Sequence, residues 1–283
     1  MMDFNSDKIK KYTGLAIADV LPAKAAKMYL ACLEYMHEAF GDNVEYERLS
    51  EQILLCDETR DFLYSSPNPT RYQKGTRPIL EKTVSDVCNG CATDKDKVLA
   101  ILAFIRDLRL KFDGLDFFYG GTEEELIKKG ERFCERVSRL MVSLCEVADV
   151  PGRIVFHSRG HITTEIWLDG KWSYFDPRYG VFFADGSGKI MSVDEIVANP
   201  NAIDSQPDWV TAYVSDEKAA MPNWRENHKK YFDVRELQLM QHYSLADSHK
   251  YHFEWMPNYE YKGNVKREEA HKRYVDAINE YLA

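Results

Sequence analysis

Three residues whose side chains can together carry out acyl transfer at a thiol stand close together in the chain: Cys134, His161 and Asp176. A cysteine thiolate can attack a carbonyl carbon, an imidazole can take up and return the proton, and a carboxylate can hold the imidazole in the required tautomer. All three residues lie in the stretch 130–179, so the local structure of that stretch decides whether they meet. We take Cys134 as the candidate nucleophile, His161 as the base and Asp176 as the group that orients the base.

The first half of this stretch predicts a helix that begins at Cys134. Apolar residues recur there with the helical period and form one face. They are Val137, Leu140, Met141, Leu144, Val147 and Ala148. A sulfur at a helix N-terminus meets unpaired N–H groups and the positive end of the dipole, which favour the thiolate, whereas the nearby charges of Glu131 and Glu135 oppose it. Since Cys134 is also in register with the apolar face, burial in the core is an equal interpretation of its position alone.

The second half predicts three strands, and its turn sets their register. The pattern indicates a strand over 153–157 and an alternating pair over 161–168 and 171–176, joined by the hairpin turn Asp169-Gly170. With that turn, Thr163 faces Asp176, and His161 lies on the same face as Asp176 and diagonal to it. Diagonal neighbours are about 7 Å apart at the backbone, so the hairpin predicts a His161–Asp176 pair.

The histidines and the acidic residue of this region also suggest a metal site, because His157, His161 and Glu165 are spaced four apart. On a helix this spacing would gather ligands on one face. On a strand it spreads them by roughly 13 Å for every four residues. The alternation favours a strand, so no metal site and no cofactor is predicted.

Three motifs in this stretch resemble the core of the transglutaminase-like superfamily, a group of papain-related cysteine enzymes. The family's helix begins with its cysteine and ends in a G-[IV]-P-x-R turn, which is similar to 149–153 (DVPGR) with aspartate in place of glycine. The family's H-x-x-x-E strand is matched by 161–165 (HITTE), and its W-x-x-x-D-P by 172–177 (WSYFDP). Arg132 stands where the family usually has glycine, and Thr163 stands where it usually has an aromatic residue next to the substrate groove.

This resemblance implies an α+β fold with a papain-like core, in which the nucleophile helix packs on an antiparallel sheet. The implied domains are a helical N-terminal extension over 1–70, a catalytic core over 71–200 and a C-terminal extension over 201–283. The implied activity is attack of Cys134 on an amide carbonyl, and Tyr119 is a candidate donor to the oxyanion or a groove residue.

Water as the acceptor would make the protein a peptidase or amidase, and an amine would make it a transglutaminase. We favour hydrolysis of a peptide, protein or amide substrate, because hydrolysis needs no dedicated amine site. The alternative from another class is a non-catalytic protein- or peptide-binding module on the same fold.

Composition limits the partners. A net charge of −9 and a pI near 5.5, with no clustered basic run, argue against nucleic acid. No apolar run is long enough for a membrane span, and the first residues lack the apolar core of a secretory signal, so we expect a cytoplasmic protein. Six cysteines in 283 residues agree with a reducing compartment. Oligomeric state is not predicted.

The chain before the three motifs reads as helical. Helices are predicted over 25–40, 46–62 and 78–87, with a loop at 65–69. Thr93 and Thr122 predict capping boxes at the starts of two further helices. The C-x-x-C at 88–91 suggests a redox pair or half of a zinc site, but Asn-Gly favours a turn whose thiols are incidental.

The chain after the motifs predicts a hairpin between 181–183 and 190–191 and a short helix capped by Ser192. Beyond residue 199 the sequence is rich in aromatic residues and ends in an amphipathic helix from about Lys266. A layer that shields the sheet is the favoured interpretation of this extension, and a lid over the groove is the alternative. His249 and His252 are assigned no chemistry.

Overall fold

The computed structural model describes residues 52–111, 122–157, 161–213, 223–233 and 236–246, with Lys27, Ala31 and several residues between 269 and 280. Its centre is a five-stranded antiparallel sheet of order β1-β5-β2-β3-β4. The strands are β1 (Gln52–Leu54), β2 (Gly152–His157), β3 (His161–Leu168), β4 (Lys171–Phe175) and β5 (Gln238–His242).

The described segments also form helices. They are α1 (Asp57–Tyr64), α2 (Pro78–Val87), α3 (Asp94–Leu108), α4 (Glu123–Lys129), α5 (Cys134–Val147), α6 (Val193–Ala198), α7 (Asp208–Tyr213) and α8 (Trp224–Tyr231). Short 3-10 turns occupy Arg109–Lys111 and Pro200–Ile203. The mixture of helices with an antiparallel sheet confirms the α+β class. None of the helices in the described part of the chain is long and apolar enough to span a membrane.

Helix α5 is the centre of the core, as its apolar period predicts. Its side chains from Arg136 to Glu146 are all buried, because the helix packs on β2 and β3 with one face and against α3 with another. Asp149 ends it in the left-handed conformation, with φ of 64°. The hydroxyl of Ser138 donates to the carbonyl of Ile162 at 3.0 Å, which ties the first turn of α5 to the start of β3.

The hairpin of β3 and β4 has the predicted register. Trp167 faces Trp172 and Glu165 faces Tyr174. The turn residues Asp169 and Gly170 have φ of 52° and 78°, the positive values that this type of two-residue turn requires. The predicted helix starts are confirmed too, since Thr93 and Thr122 form capping boxes at α3 and α4.

Other local predictions are confirmed in part. The C-x-x-C at 88–91 forms the turn between α2 and α3, with Cys91 N–H donating to the carbonyl of Cys88. Ser192 caps α6 as predicted. The hairpin predicted at 181–183 and 190–191 keeps its turn, but it forms an isolated bridge between Ala184 and Ile190 instead of two strands.

The helix predicted over 46–62 is wrong at its centre, because Gln52–Leu54 is strand β1. Ile53 and Leu54 pair with Met240 and Leu239 of β5, so a partner far away in the chain overrides the local helical period. The apolar stripe also fails at Phe62, whose side chain is 56% exposed on α1.

The C-terminal extension does more than shield the sheet, because β5 lies inside it, between β1 and β2. No strand was predicted there. Helix α8, just before β5, packs over the end of the sheet that carries His161 and Asp176. The described residues between 269 and 280 are helical, as predicted. The division of the chain at residues 70 and 200 stays a prediction.

Candidate active site

Cys134 is the first residue of α5, as predicted, and its side chain is half-buried. Phe133 precedes it in extended conformation. Glu131, which we expected to oppose the thiolate, is itself held by other groups. One of its oxygens accepts the N–H groups of Arg132 and Phe133 at 2.8 and 2.9 Å, and the other pairs with Arg136 at 2.8 Å.

His161 and Asp176 meet as the hairpin register predicts. Nε2 of His161 lies 2.6 Å from Oδ2 of Asp176, and both side chains are buried. The other carboxylate oxygen, Oδ1, accepts the backbone N–H groups of Arg178 and Tyr179 at 3.0 and 3.2 Å. These bonds lower the cost of burying the carboxylate and fix its direction. Burial opposes the carboxylate, but the charge of His161 and the hydrogen bonds of His161 and His228 outweigh it and hold the pKa of Asp176 well below its usual range.

The thiol of Cys134 and the imidazole of His161 influence each other. Burial opposes the thiolate, but the neighbouring imidazole of His161, its charge and the charge of Arg178 lower the pKa of Cys134 below its ordinary value. Burial likewise opposes the imidazolium, but the charge and hydrogen bond of Asp176, followed by the influence of the neighbouring Cys134, raise the pKa of His161 to about 9. The arrangement favours a thiolate–imidazolium pair.

The atom of His161 that is left for this pair is Nδ1, since Nε2 is bonded to Asp176. Nδ1 is buried and has no partner of full hydrogen-bond geometry among the described residues, although Cys134 lies near enough to shift its pKa. Free enzymes often hold catalytic hydrogen bonds loosely, so a bond that is incomplete in the free protein is compatible with this pair.

The side chains considered as metal ligands have other partners. Nε2 of His157 lies 2.9 Å from the hydroxyl of Thr163. Glu165 accepts two bonds from Arg153 at 2.8 and 2.5 Å, and its other oxygen accepts from Tyr64 and from the backbone of Val193. The described residues hold no group of three potential ligands that could bind a metal ion. Tyr119, the candidate oxyanion donor, lies outside the described residues.

The pairing of Arg153 with Glu165 explains why two of the three motifs end in a charged residue. Arg153 ends the 149–153 turn and Glu165 ends the H-x-x-x-E strand, and the two residues face each other across β2 and β3. Both are buried, and the guanidinium also lies 4.1 Å from the ring centroid of Trp172. These motif residues therefore hold the strands that position His161 and Asp176, at a distance from the thiol.

Sequence reasoning missed two aromatic-ring residues of α8 that contact the site. Nε2 of His228 lies 2.9 Å from Oδ2 of Asp176, and the ring of Tyr231 stacks on His161 with centroids 4.4 Å apart. One signal was available, because Trp224, His228 and Tyr231 are spaced four and three apart and share one face of a helix.

A half-buried thiol at the N-terminus of a central helix, next to a histidine–aspartate pair on an antiparallel sheet, defines a protein with a papain-like α+β core. In a comparison with protein families, residues 81–177 match the model described as Transglutaminase-like superfamily. That segment contains Cys134, His161 and Asp176, so the part of the chain that carries the candidate site is similar to this superfamily. Comparisons with curated proteins and with solved structures gave no significant match.

Proposed function

We propose that the protein is a cysteine hydrolase that cleaves a peptide or amide bond, with Cys134 as nucleophile, His161 as general acid and base, and Asp176 as the residue that orients His161. The superfamily, which includes cysteine peptidases and acyltransferases, supports the class. The observation that carries the proposal is the position of Cys134 at the start of α5 together with the buried pair of His161 and Asp176, and the lowered pKa of Cys134 and raised pKa of His161 agree with it.

In the first half-reaction, the thiolate of Cys134 forms a bond to the carbonyl carbon of the substrate and the carbonyl oxygen becomes an oxyanion. The C–N bond then breaks, and the proton on Nδ1 of His161 goes to the leaving amine. In the second half-reaction, His161 takes a proton from water, and the resulting hydroxide attacks the thioester. The C–S bond then breaks and the acid leaves, while the proton that His161 took from water stays on its ring, which restores the thiolate–imidazolium pair.

Asp176 contributes without reacting. Its bond to Nε2 keeps Nδ1 directed toward the thiol and stabilises the imidazolium. Hydrolysis is favoured over transamidation because it needs no amine-binding site. A peptide-binding module without activity is the rival from another class, and a half-buried thiol of lowered pKa speaks against it.

The first test is the rate of iodoacetamide labelling against pH, with each cysteine followed by peptide mapping. Cys88 is an internal control, because it is also half-buried but burial raises its pKa. We expect Cys134 to be labelled faster than Cys88 at neutral pH, with a reactive plateau that His161→Ala abolishes. Equal labelling of the two thiols, with a single rise near pH 8.5 in both proteins, would contradict the mechanism.

The second test is a screen of peptide and amide substrates with the wild type and Cys134→Ala. Release of amine by the wild type alone supports hydrolysis. Incorporation of an added fluorescent amine into the acyl product would instead show a transglutaminase. Saturable peptide binding that is equal in both proteins, without product, would show the binding module.

A further inference from the structure

His228 is completely buried beside the candidate triad, although it comes from a part of the chain that carries none of the three motifs. It lies in the middle of α8, and its ring is enclosed by other rings. These belong to His161, Tyr174, Tyr179, Phe183, Trp224 and Tyr231, with centroids 5.0 to 6.4 Å away. A histidine in such surroundings must have partners for both ring nitrogens.

Both nitrogens do have partners, and both partners are acceptors. Nε2 lies 2.9 Å from Oδ2 of Asp176, and Nδ1 lies 2.6 Å from the carbonyl oxygen of Trp224. A carbonyl oxygen only accepts, and so does an ionised carboxylate. Each nitrogen must therefore carry a proton for both bonds to form, which makes His228 an imidazolium whenever Asp176 is ionised.

This count changes the charge of the site. A thiolate on Cys134, an imidazolium on His161 and a carboxylate on Asp176 sum to one negative charge. His161 and Asp176 are buried, and an uncompensated charge in such surroundings is costly. The half-buried Arg178 places a positive charge near the thiol. A protonated His228 brings the sum of the four residues to zero from the other side of the network, where it reaches the same oxygen of Asp176 that His161 uses.

We propose that His228 is a positioning residue of this site, which holds Asp176 opposite His161 and supplies the positive charge that balances the ionised network. The inference deepens the proposed function and rests on it for the role of the network, although the state of His228 can be measured independently. Because α8 delivers the residue, the C-terminal extension becomes part of the catalytic machinery.

The groups that face His228 decide the direction of its effect. Asp176, at the end of β4, is the negatively charged neighbour. His161 on β3 is the positively charged neighbour when its imidazole is protonated beside Asp176. The remaining titratable neighbours are Tyr174 on β4, Tyr179 in the following turn and Tyr231 on α8 itself, and His157 on β2 feels its charge. Removing a cation from this set disfavours the thiolate of Cys134 and favours the imidazolium of His161, so both should titrate at higher pH.

The experiment compares iodoacetamide labelling of Cys134 against pH in the wild type, His228→Gln and Lys229→Gln. Glutamine keeps a neutral donor for Asp176 but removes the charge. Lys229 is the matched control, since the same substitution removes a positive charge from the next residue of α8, which is exposed and pairs with Asp204. We expect His228→Gln to shift the rise in the labelling rate upward by about one pH unit. At pH values below the rise, the labelling rate should therefore be roughly tenfold lower than in the wild type. Lys229→Gln should follow the wild type.

An unchanged profile in a folded His228→Gln protein, checked by circular dichroism, would overturn the proposal. If His161→Ala also leaves the profile unchanged, the proposed function fails as a whole. If His161→Ala alters it and His228→Gln does not, only the role of His228 fails.

A second measurement needs no variant and decides the matter if His228→Gln does not fold. In the wild type labelled with ¹⁵N-histidine, we expect both ring nitrogens of His228 to carry protons at pH 7. A signal with one protonated and one bare nitrogen would overturn the proposal.

Discussion

The segments 134–177 and 223–246 both place side chains next to Asp176, but they are built from contacts of different range. In the first segment, helix α5, β2, β3 and β4 follow one another and pack on their neighbours in sequence. In the second, α8 and β5 contact residues that lie far earlier in the chain: β5 pairs with β1 and β2, and His228 reaches Asp176. Local patterns therefore identify the first segment and not the second.

The two segments also differ in what holds them. Buried polar pairs connect the elements of the first one, above all Arg153 with Glu165 and His161 with Asp176. In the second, residues 223–233 contact the site mainly through rings, with Tyr231 on His161 and Phe232 on His157, besides the bond of His228 to Asp176. Polar pairs demand defined geometry, whereas packed rings tolerate adjustment, so the first segment should respond more sharply to substitution.

The largest effect is expected from Asp176→Asn, which touches both segments at once. An amide cannot stabilise an imidazolium and favours the wrong tautomer of His161, so turnover should fall by about 10⁴-fold, as the analogous change does in a serine triad. The measurement is turnover on a substrate from the screen, with circular dichroism to check the fold. Near-normal turnover would show that Asp176 serves only the turn at 176–179.

A smaller but still large effect is expected on stability from Arg153→Met, within the first segment. Methionine keeps much of the apolar length but leaves Glu165 buried without its cation, and breaking one side of a buried pair costs about 3–5 kcal/mol. Urea unfolding measures the loss in free energy of unfolding.

The matched control is Lys171→Met, on the same sheet. Lys171 pairs with Glu195, but that pair is partly exposed and should contribute about 1 kcal/mol or less. Equal losses for the two variants would mean that the Arg153–Glu165 pair does not hold the first segment together.

The smallest effect concerns pH and the contact between the segments. Burial, followed by the charge of His161, lowers the pKa of His157 to about 3. In the unfolded chain the same group titrates near 6.5, so between pH 3 and 6.5 the unfolded chain binds more protons and stability rises with pH. From pH 7 down to pH 5, we expect His157 to remove about 2 kcal/mol of unfolding free energy.

Above that pH window, His161 and Cys134 together should change the free energy of unfolding little with pH. In the unfolded chain between about pH 6.5 and 8.5 the thiol holds one proton, and in the folded protein the imidazole holds it instead. The measurement is urea unfolding at pH 5 and pH 7 for the wild type and His157→Gln, which should lose this part of the difference. Phe232→Ala removes a ring of the second segment that covers His157, so it should also reduce the difference in unfolding free energy between pH 5 and pH 7. If His157→Gln keeps the full difference, His157 is not the source of the pH effect.

The parts of the fold that the sequence predicted are those decided within a few residues. The start of α5 at Cys134 follows from its apolar period, and the meeting of His161 with Asp176 follows from a turn that admits one register. Strand β1 was taken for helix because its pairing with β5 is not encoded in its own neighbourhood. The spacing of His228 with Trp224 and Tyr231 indicates a shared helix face, but it does not show that this face packs on Asp176, because that depends on where a distant helix packs.

The place of β5 in the sheet has a consequence for the order in which the chain is made. On the ribosome, β2 emerges long before β5, so the backbone groups of this apolar strand that pair with β5 stay unpaired until residues 238–242 have been synthesised. An open apolar edge is a template for pairing with other chains, and long-range pairing is slow. The nascent protein therefore passes through a period in which its nucleophile helix and hairpin can exist but the sheet is incomplete, and during that period aggregation competes with folding.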